Sequence, residues 1–136
     1  MPIDVTWKNE AKNTINLVLS GRWSLQEFYE ANQKANEMVE QVFHPVHIIL
    51  DVHQSKTMPD GFMNAISNIS RKAPVNMGIL VMVGINPFAR AFIRWYRLVY
   101  PRKPGERIIQ YAGNEDEAQA IIDALAETKD KVDLPT

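Results

Sequence analysis

Apolar and polar positions alternate through residues 3 to 8, IDVTWK, which sets Ile3, Val5 and Trp7 on one side. Residues 14 to 20, TINLVLS, repeat the alternation with Ile15, Leu17 and Leu19. A period of two marks a half-buried strand. The polar NEAKN between the two runs is short enough to close a hairpin. The period then changes. Ser24 and Glu27 have the spacing of a capping box, in which each side chain satisfies a backbone N–H at a helix start. Trp23 and Phe28 stand where a hydrophobic staple would, and Phe28, Ala31, Ala35, Met38 and Val42 continue at helical spacing.

Residues 46 to 52, VHIILDV, form a short and mostly apolar run, the signature of a central strand covered on both faces. A second helix is predicted over 61–72, with Phe62, Ala65, Ile66 and Ile69 inward. MGILVMVGI, residues 77 to 85, is the most apolar strand and is expected in the middle of the sheet. Asn86 and Pro87 suit the cap and first turn of a third helix, which Pro101 and Pro104-Gly105 end. RIIQYAG, residues 107 to 113, reads as a fifth strand. Asn114 and Glu117 repeat the cap spacing ahead of Ala118, Ile121, Ile122 and Leu125.

The predicted order is β-β-α-β-α-β-α-β-α, an α/β fold with four helices and a five-stranded, mixed and mostly parallel sheet. Strand–helix–strand succession implies parallel pairs with right-handed crossovers, and the opening hairpin adds one antiparallel pair. The 136 residues suit a single domain, 1–136, with a frayed tail over 129–136. There is no cysteine, so disulfides, thiol catalysis and zinc–thiolate sites are excluded. Met1-Pro2-Ile3-Asp4 lacks the basic, then apolar, start of a secretory signal, and no run is long enough to span a membrane. The expectation is a cytoplasmic protein.

Net charge is −1, which makes no case for nucleic acid. The charge is unevenly placed, however. Residues 86 to 107 hold Arg90, Arg94, Arg97, Arg102, Lys103 and Arg107 against Glu106 alone. Residues 114 to 133 hold seven acids against Lys129 and Lys131. The two regions read either as ordinary solvated helix faces or as fields that guide a partner or a second copy.

This succession of elements, over nearly the whole chain, resembles the STAS and SEC14-like group, which includes the anti-sigma factor antagonists. The local match is HIILDV, a loop, then MPDGFMNAI. In the antagonists an apolar strand ends in Asp plus an aliphatic residue, and a loop leads to Asp-Ser-Ser/Thr-Gly at the start of the second helix. There the serine after Asp is phosphorylated. Asp51-Val52 fits the first part and Asp60-Gly61 the second. The loop is one residue longer here, and Gly61 and Phe62 follow Asp60 where the hydroxyl residue would stand. The resemblance thus implies a regulatory scaffold without the family phosphoacceptor. Ser55 and Thr57 lie upstream of the motif position.

Asp51, His53 and Ser55 alternate at the end of the third strand, the edge where open α/β sheets bind ligands. Alternate residues on an extended segment stand about 7 Å apart, beyond hydrogen-bond reach, and no G-x-S-x-G elbow occurs. Asp51 is therefore expected to bond turn backbone. His44 and His47 are separated by Pro45 and have no carboxylate beside them, so no metal is predicted. With no Gly-rich phosphate loop either, no cofactor is predicted.

The third helix is the most informative surface. Phe88, Phe92, Trp95 and Val99 share one stripe, expected in the core. Arg90, Arg94 and Arg97 share another, about 200° away and solvent-facing. Ile93, Tyr96 and Tyr100 lie between, either packed under the YPRKPGER loop or exposed beside the arginines. Tyr and Arg are enriched at interfaces. The first expectation is a non-enzymatic, STAS-like interaction module, a homodimer, contacting its partner through this helix and the 53–61 loop with Asp60 and Gly61. The second follows the SEC14-like resemblance: a carrier of a small amphipathic ligand near Phe62, Met63, Phe92 and Tyr96, with Arg90 or Arg94 on its acidic headgroup.

Overall fold

The computed structural model describes residues 2–56, 58–85, 87–99 and 109–132, without the side chains of Phe88, Ala89, Phe92 and 127–132. The expectations for Thr57, Asn86, Tyr100 and the YPRKPGER loop lie outside the described residues, as do Pro101 and Pro104-Gly105. The elements are β1 (Ile3–Trp7), β2 (Thr14–Gly21), α1 (Leu25–Glu40), β3 (Val46–Ser55), α2 (Phe62–Arg71), β4 (Met77–Val83), α3 (Pro87–Val99), β5 (Ile109–Ala112) and α4 (Glu115–Val132). α4 spans Glu115–Val132, and residues 133–136 of the tail expected to fray lie outside the described residues.

Five strands form one sheet in the order β1-β2-β3-β4-β5, with β1 antiparallel to β2 and the other neighbours parallel. The parallel strands step in one direction, so right-handed crossovers bring α1, α2 and α3 to the same face. Phe28, Ala35 and Val39 of α1 join Phe62, Ala65 and Ile66 of α2 over Ile48, Leu50 and Val52 of β3. α4 follows the last strand and takes the other face, where Ala118 and Ile122 pack on Ile49, Val81, Val83 and Ala112. One helix cannot cover five strands. The α4 side of the β1–β2 hairpin therefore holds polar Asp4, Thr6 and Asn16, which is why those two strands alternate in sequence while β3 does not.

The structure corrects one boundary and one position in the sheet. β3 runs three residues past the predicted Val52, because Gln54 and Ser55 still pair with Ser20 and Gly21 across an irregularity after Val18. Backbone pairing continues there after the apolar pattern has stopped. β4 is fourth in the sheet and β3 is the middle strand. The apolarity of β4 reports cover on both faces and not centrality.

Candidate functional site

Three groupings stand around the carboxyl ends of the parallel strands. The first is the head of α2. Gly61 precedes the helix with φ 84° and ψ 4°, and no side chain caps the helix. A Cβ on Gly61 would meet only Leu25 Cδ1 at 3.5 Å, so the glycine answers to its left-handed backbone and not to crowding. Phe62, next in line, is 2% exposed. Its ring stands edge-on to Trp23 and Phe28, with centroids 5.1 and 5.2 Å away. Trp23 Nε1 donates to Ser55 Oγ at 2.7 Å, tying this aromatic cluster to the end of β3. From α3, the Tyr96 hydroxyl donates to Asn64 Oδ1 at 3.1 Å. An open cavity of about 290 Å³ remains between them, lined by Met58, Pro59, Asp60, Phe62, Met63 and Tyr96 among others.

The second grouping is Asp51 with His53. Both belong to β3, as does Ser55, so the loop expected over 53–61 begins after Ser55. Asp51 is 5% exposed. Its Oδ1 accepts the backbone N–H of His53 at 3.0 Å and lies 2.5 Å from His53 Nδ1. This corrects the expectation that the two side chains cannot meet. The Cβ atoms point the same way two residues apart, but an imidazole is long enough to fold back along the strand. Donation through Nδ1 leaves Nε2 as an acceptor. Gln54 Nε2 lies 3.3 Å from it, and Gln54 Oε1 accepts from Ser20 Oγ at 3.2 Å. Ser55 faces Trp23 instead, so Asp51, His53 and Ser55 are not joined as a nucleophilic relay. Gly84, with φ 82°, backs the histidine: a Cβ there would fall 2.8 Å from His53 Cα and against His53 Cβ.

The third grouping is α3. Among its described side chains Ile93 is buried, 3% exposed, while Trp95 and Val99 are 55% and 49% exposed. Trp95 and Val99 of the expected core stripe are thus turned outward, the side chains of Phe88 and Phe92 lie outside the described residues, and Ile93, for which the sequence leaves packing and exposure both open, is buried. Tyr96 and Arg97 are half-buried, and Arg90 and Arg94 are exposed. The Arg90 guanidinium stands 5.9 Å from the centroid of Tyr111 on β5. Burial pushes the Tyr111 phenol above its usual value, against the opposing pull of Arg97 and Arg90. Arg90 and Arg94 line a second cavity of about 260 Å³ with Ile85, Pro87 and Ala91.

The structure brings Asp60 and Gly61 to Tyr96, and Arg90 to Arg94, but does not unite these sets. Asp51 and His53 share the α4 side of β3 with Ile49, across the sheet from the head of α2. Among the residues missed by sequence reasoning, Asn64 has a signal in hindsight: it is polar and exposed in the first turn of α2, on the side α3 must approach. Tyr111 was read only as a strand residue. Among the described residues no three His, Asp or Glu cluster closely enough to hold a metal ion, and no helix is long and apolar enough to cross a membrane.

A parallel sheet stepping in one direction, edged by an antiparallel strand and covered by three helices and one, is the STAS fold of the anti-sigma factor antagonists. The solved structure of the anti-sigma factor antagonist SpoIIAA in its unphosphorylated form is similar to this chain, with a TM-score of 0.61 and 12% identity, over 91% of this chain and 97% of that one. No protein-family model and no curated protein matches the sequence. At that identity the likeness speaks for the fold, and the site must speak for the function.

Proposed function

We propose that the protein is a non-enzymatic regulatory module that binds a protein through the loop before α2, the head of α2 and Tyr96 of α3. The observation that carries this reading is the open cavity at the head of α2, in a fold like that of an anti-sigma factor antagonist. The module works without the serine-based switch of the antagonists, a reading supported by the residues at the motif position. Gly61 holds a left-handed backbone that a serine adopts only with strain, and Phe62 is locked in an aromatic cluster. Binding here is then governed by partner concentration or by another device. The reading includes self-association as a homodimer. Sedimentation velocity tests it. Asp60→Lys with Tyr96→Ala is expected to shift the chain from dimer to monomer while its thermal melt stays within a few degrees. A wild-type chain that is monomeric at every concentration removes the homodimer. A partner complex indifferent to the double variant removes the surface.

A second reading, a carrier of a small amphipathic ligand, is favoured by the lining of the same cavity. Phe62, Met63 and Tyr96 are three of the four residues expected around such a ligand. At about 290 Å³ the cavity sits at the small end of ligand sites. Arg90 and Arg94 line the other cavity, so they do not clamp a headgroup in this one. Native mass spectrometry separates the two readings: a reproducible small-molecule adduct on the monomer favours the carrier, and a bare dimer favours the module.

A further inference from the structure

The outward side of α3 is not used by the cavity at the head of α2. Trp95, Leu98 and Val99 are 55%, 79% and 49% exposed, and Ala91 is exposed one turn before Trp95. Steps of four and three residues put Ala91, Trp95 and Leu98 along one ridge, opposite the buried Ile93. Arg90 and Arg94 are exposed along one flank of that ridge, with Arg97 beside them half-buried. The helix contains no acidic residue. Its start opens on the cavity of about 260 Å³ between Arg90, Arg94, Ala91 and Ile85. The Tyr111 ring beneath Arg90 helps hold that guanidinium at the cavity. The acidic first turn of α4, Glu115 to Glu117, belongs to the helix on the opposite face of the sheet.

We propose that α3 docks the protein on an anionic phospholipid surface, with Trp95, Leu98 and Val99 entering the headgroup layer and Arg90 and Arg94 pairing with lipid phosphate. An amphipathic helix with arginine on its polar flank and Trp and Leu on its apolar ridge lies in a membrane interface, where the indole sits at headgroup level. Arginine pairs with phosphate in a two-pronged geometry, and the cavity beside Arg90 and Arg94 leaves room for a headgroup at the foot of the ridge. The division of charge selects the sign of the surface: the basic helix turns toward it while the acidic first turn of α4 stays on the far face. Docking leaves Asp60 and the cavity at the head of α2 open to a partner, because they lie beside the inward side of α3.

Co-sedimentation of the full chain with vesicles tests this. The chain is expected to pellet with vesicles of equal parts phosphatidylglycerol and phosphatidylcholine and to stay in solution with phosphatidylcholine alone. Arg90→Gln with Arg94→Gln is expected to lower partition about 25-fold, at about fivefold per arginine. Trp95→Ser with Leu98→Ser is expected to abolish pelleting. These four side chains are exposed, and an unchanged circular-dichroism melt confirms that each variant is folded. Inorganic phosphate is expected to release no more protein than chloride at equal ionic strength. Full release by phosphate alone means a site for the free anion and overturns lipid docking. So does a wild-type chain that ignores phosphatidylglycerol, or pelleting that survives both double variants. If the Trp95/Leu98 variant instead converts a dimer to a monomer without altering pelleting, the ridge belongs to a second copy and the proposal fails.

Discussion

At the residue scale, the pair at the end of β3 is asymmetric. Asp51 is 5% exposed and its carboxylate accepts both the His53 N–H and the imidazole, whereas the His53 side chain is 53% exposed. Removing the acceptor leaves a part-buried donor unpaired. Removing the ring leaves the carboxylate still bonded to backbone. Asp51→Ala is therefore expected to cost about 1–3 kcal/mol in urea unfolding and His53→Ala less than about 1 kcal/mol. The reverse order would mean that the ring holds the strand end. The sequence shows an acid fit for local backbone bonding, and the backbone bond is there. It does not show the side-chain contact, because a spacing of Cβ atoms takes no account of how far an imidazole reaches. Ser55 has its own lesson: its partner Trp23 stands in the turn between β2 and α1, and only the fold brings that indole to it.

At the scale of elements, local chemistry was legible and facing was not. Ser24 and Glu27 make both bonds of the capping box, at 3.1 and 3.0 Å, and Asn114 accepts from Glu117 N–H at 2.8 Å. Those signals are contained in four adjacent residues. α3 carries apolar residues over more than one side, so spacing alone does not fix which of them face the sheet: Ile93 is buried while Trp95 and Val99 are exposed. Turns divide in the same way. Gly61 and Gly84 have nearly equal φ, 84° and 82°, but a Cβ meets ordinary contact at the first and His53 backbone at the second. Gly61→Ala is expected to cost about 1–2 kcal/mol, the backbone cost alone. Gly84→Ala adds overpacking and is expected to cost about 2–4 kcal/mol. Thermal unfolding of the two variants checks the difference. Equal losses would show that β3 yields readily at His53 and that crowding contributes nothing.

At the scale of the molecule, the stepping order of the strands governs where stability lies. Three crossovers of one hand put α1, α2 and α3 on one face, and among the described residues α4 is the helix that covers the other. β3 and β4 each lie between two parallel neighbours and are packed on both faces, β3 through Ile48, Ile49 and Leu50 and β4 through Val81, Met82 and Val83. β1 has a single neighbour and polar residues on its open side. Backbone amides open most rarely where two ladders and two apolar layers must part together. Hydrogen exchange by mass spectrometry is therefore expected to find the slowest amides over residues 48–51 and 80–83 and markedly faster exchange over 3–7. β5 should also exchange faster than β3, because β4 is its only neighbour in the sheet. If residues 3–7 are protected as strongly as 48–51, the sheet opens only as a whole and its edge is held by α1, which packs Ala31 and Ala35 into the same core as Ile3 and Val5. In that case the antiparallel strand is an integral part of the cooperative unit, and its removal should unfold the chain rather than fray it.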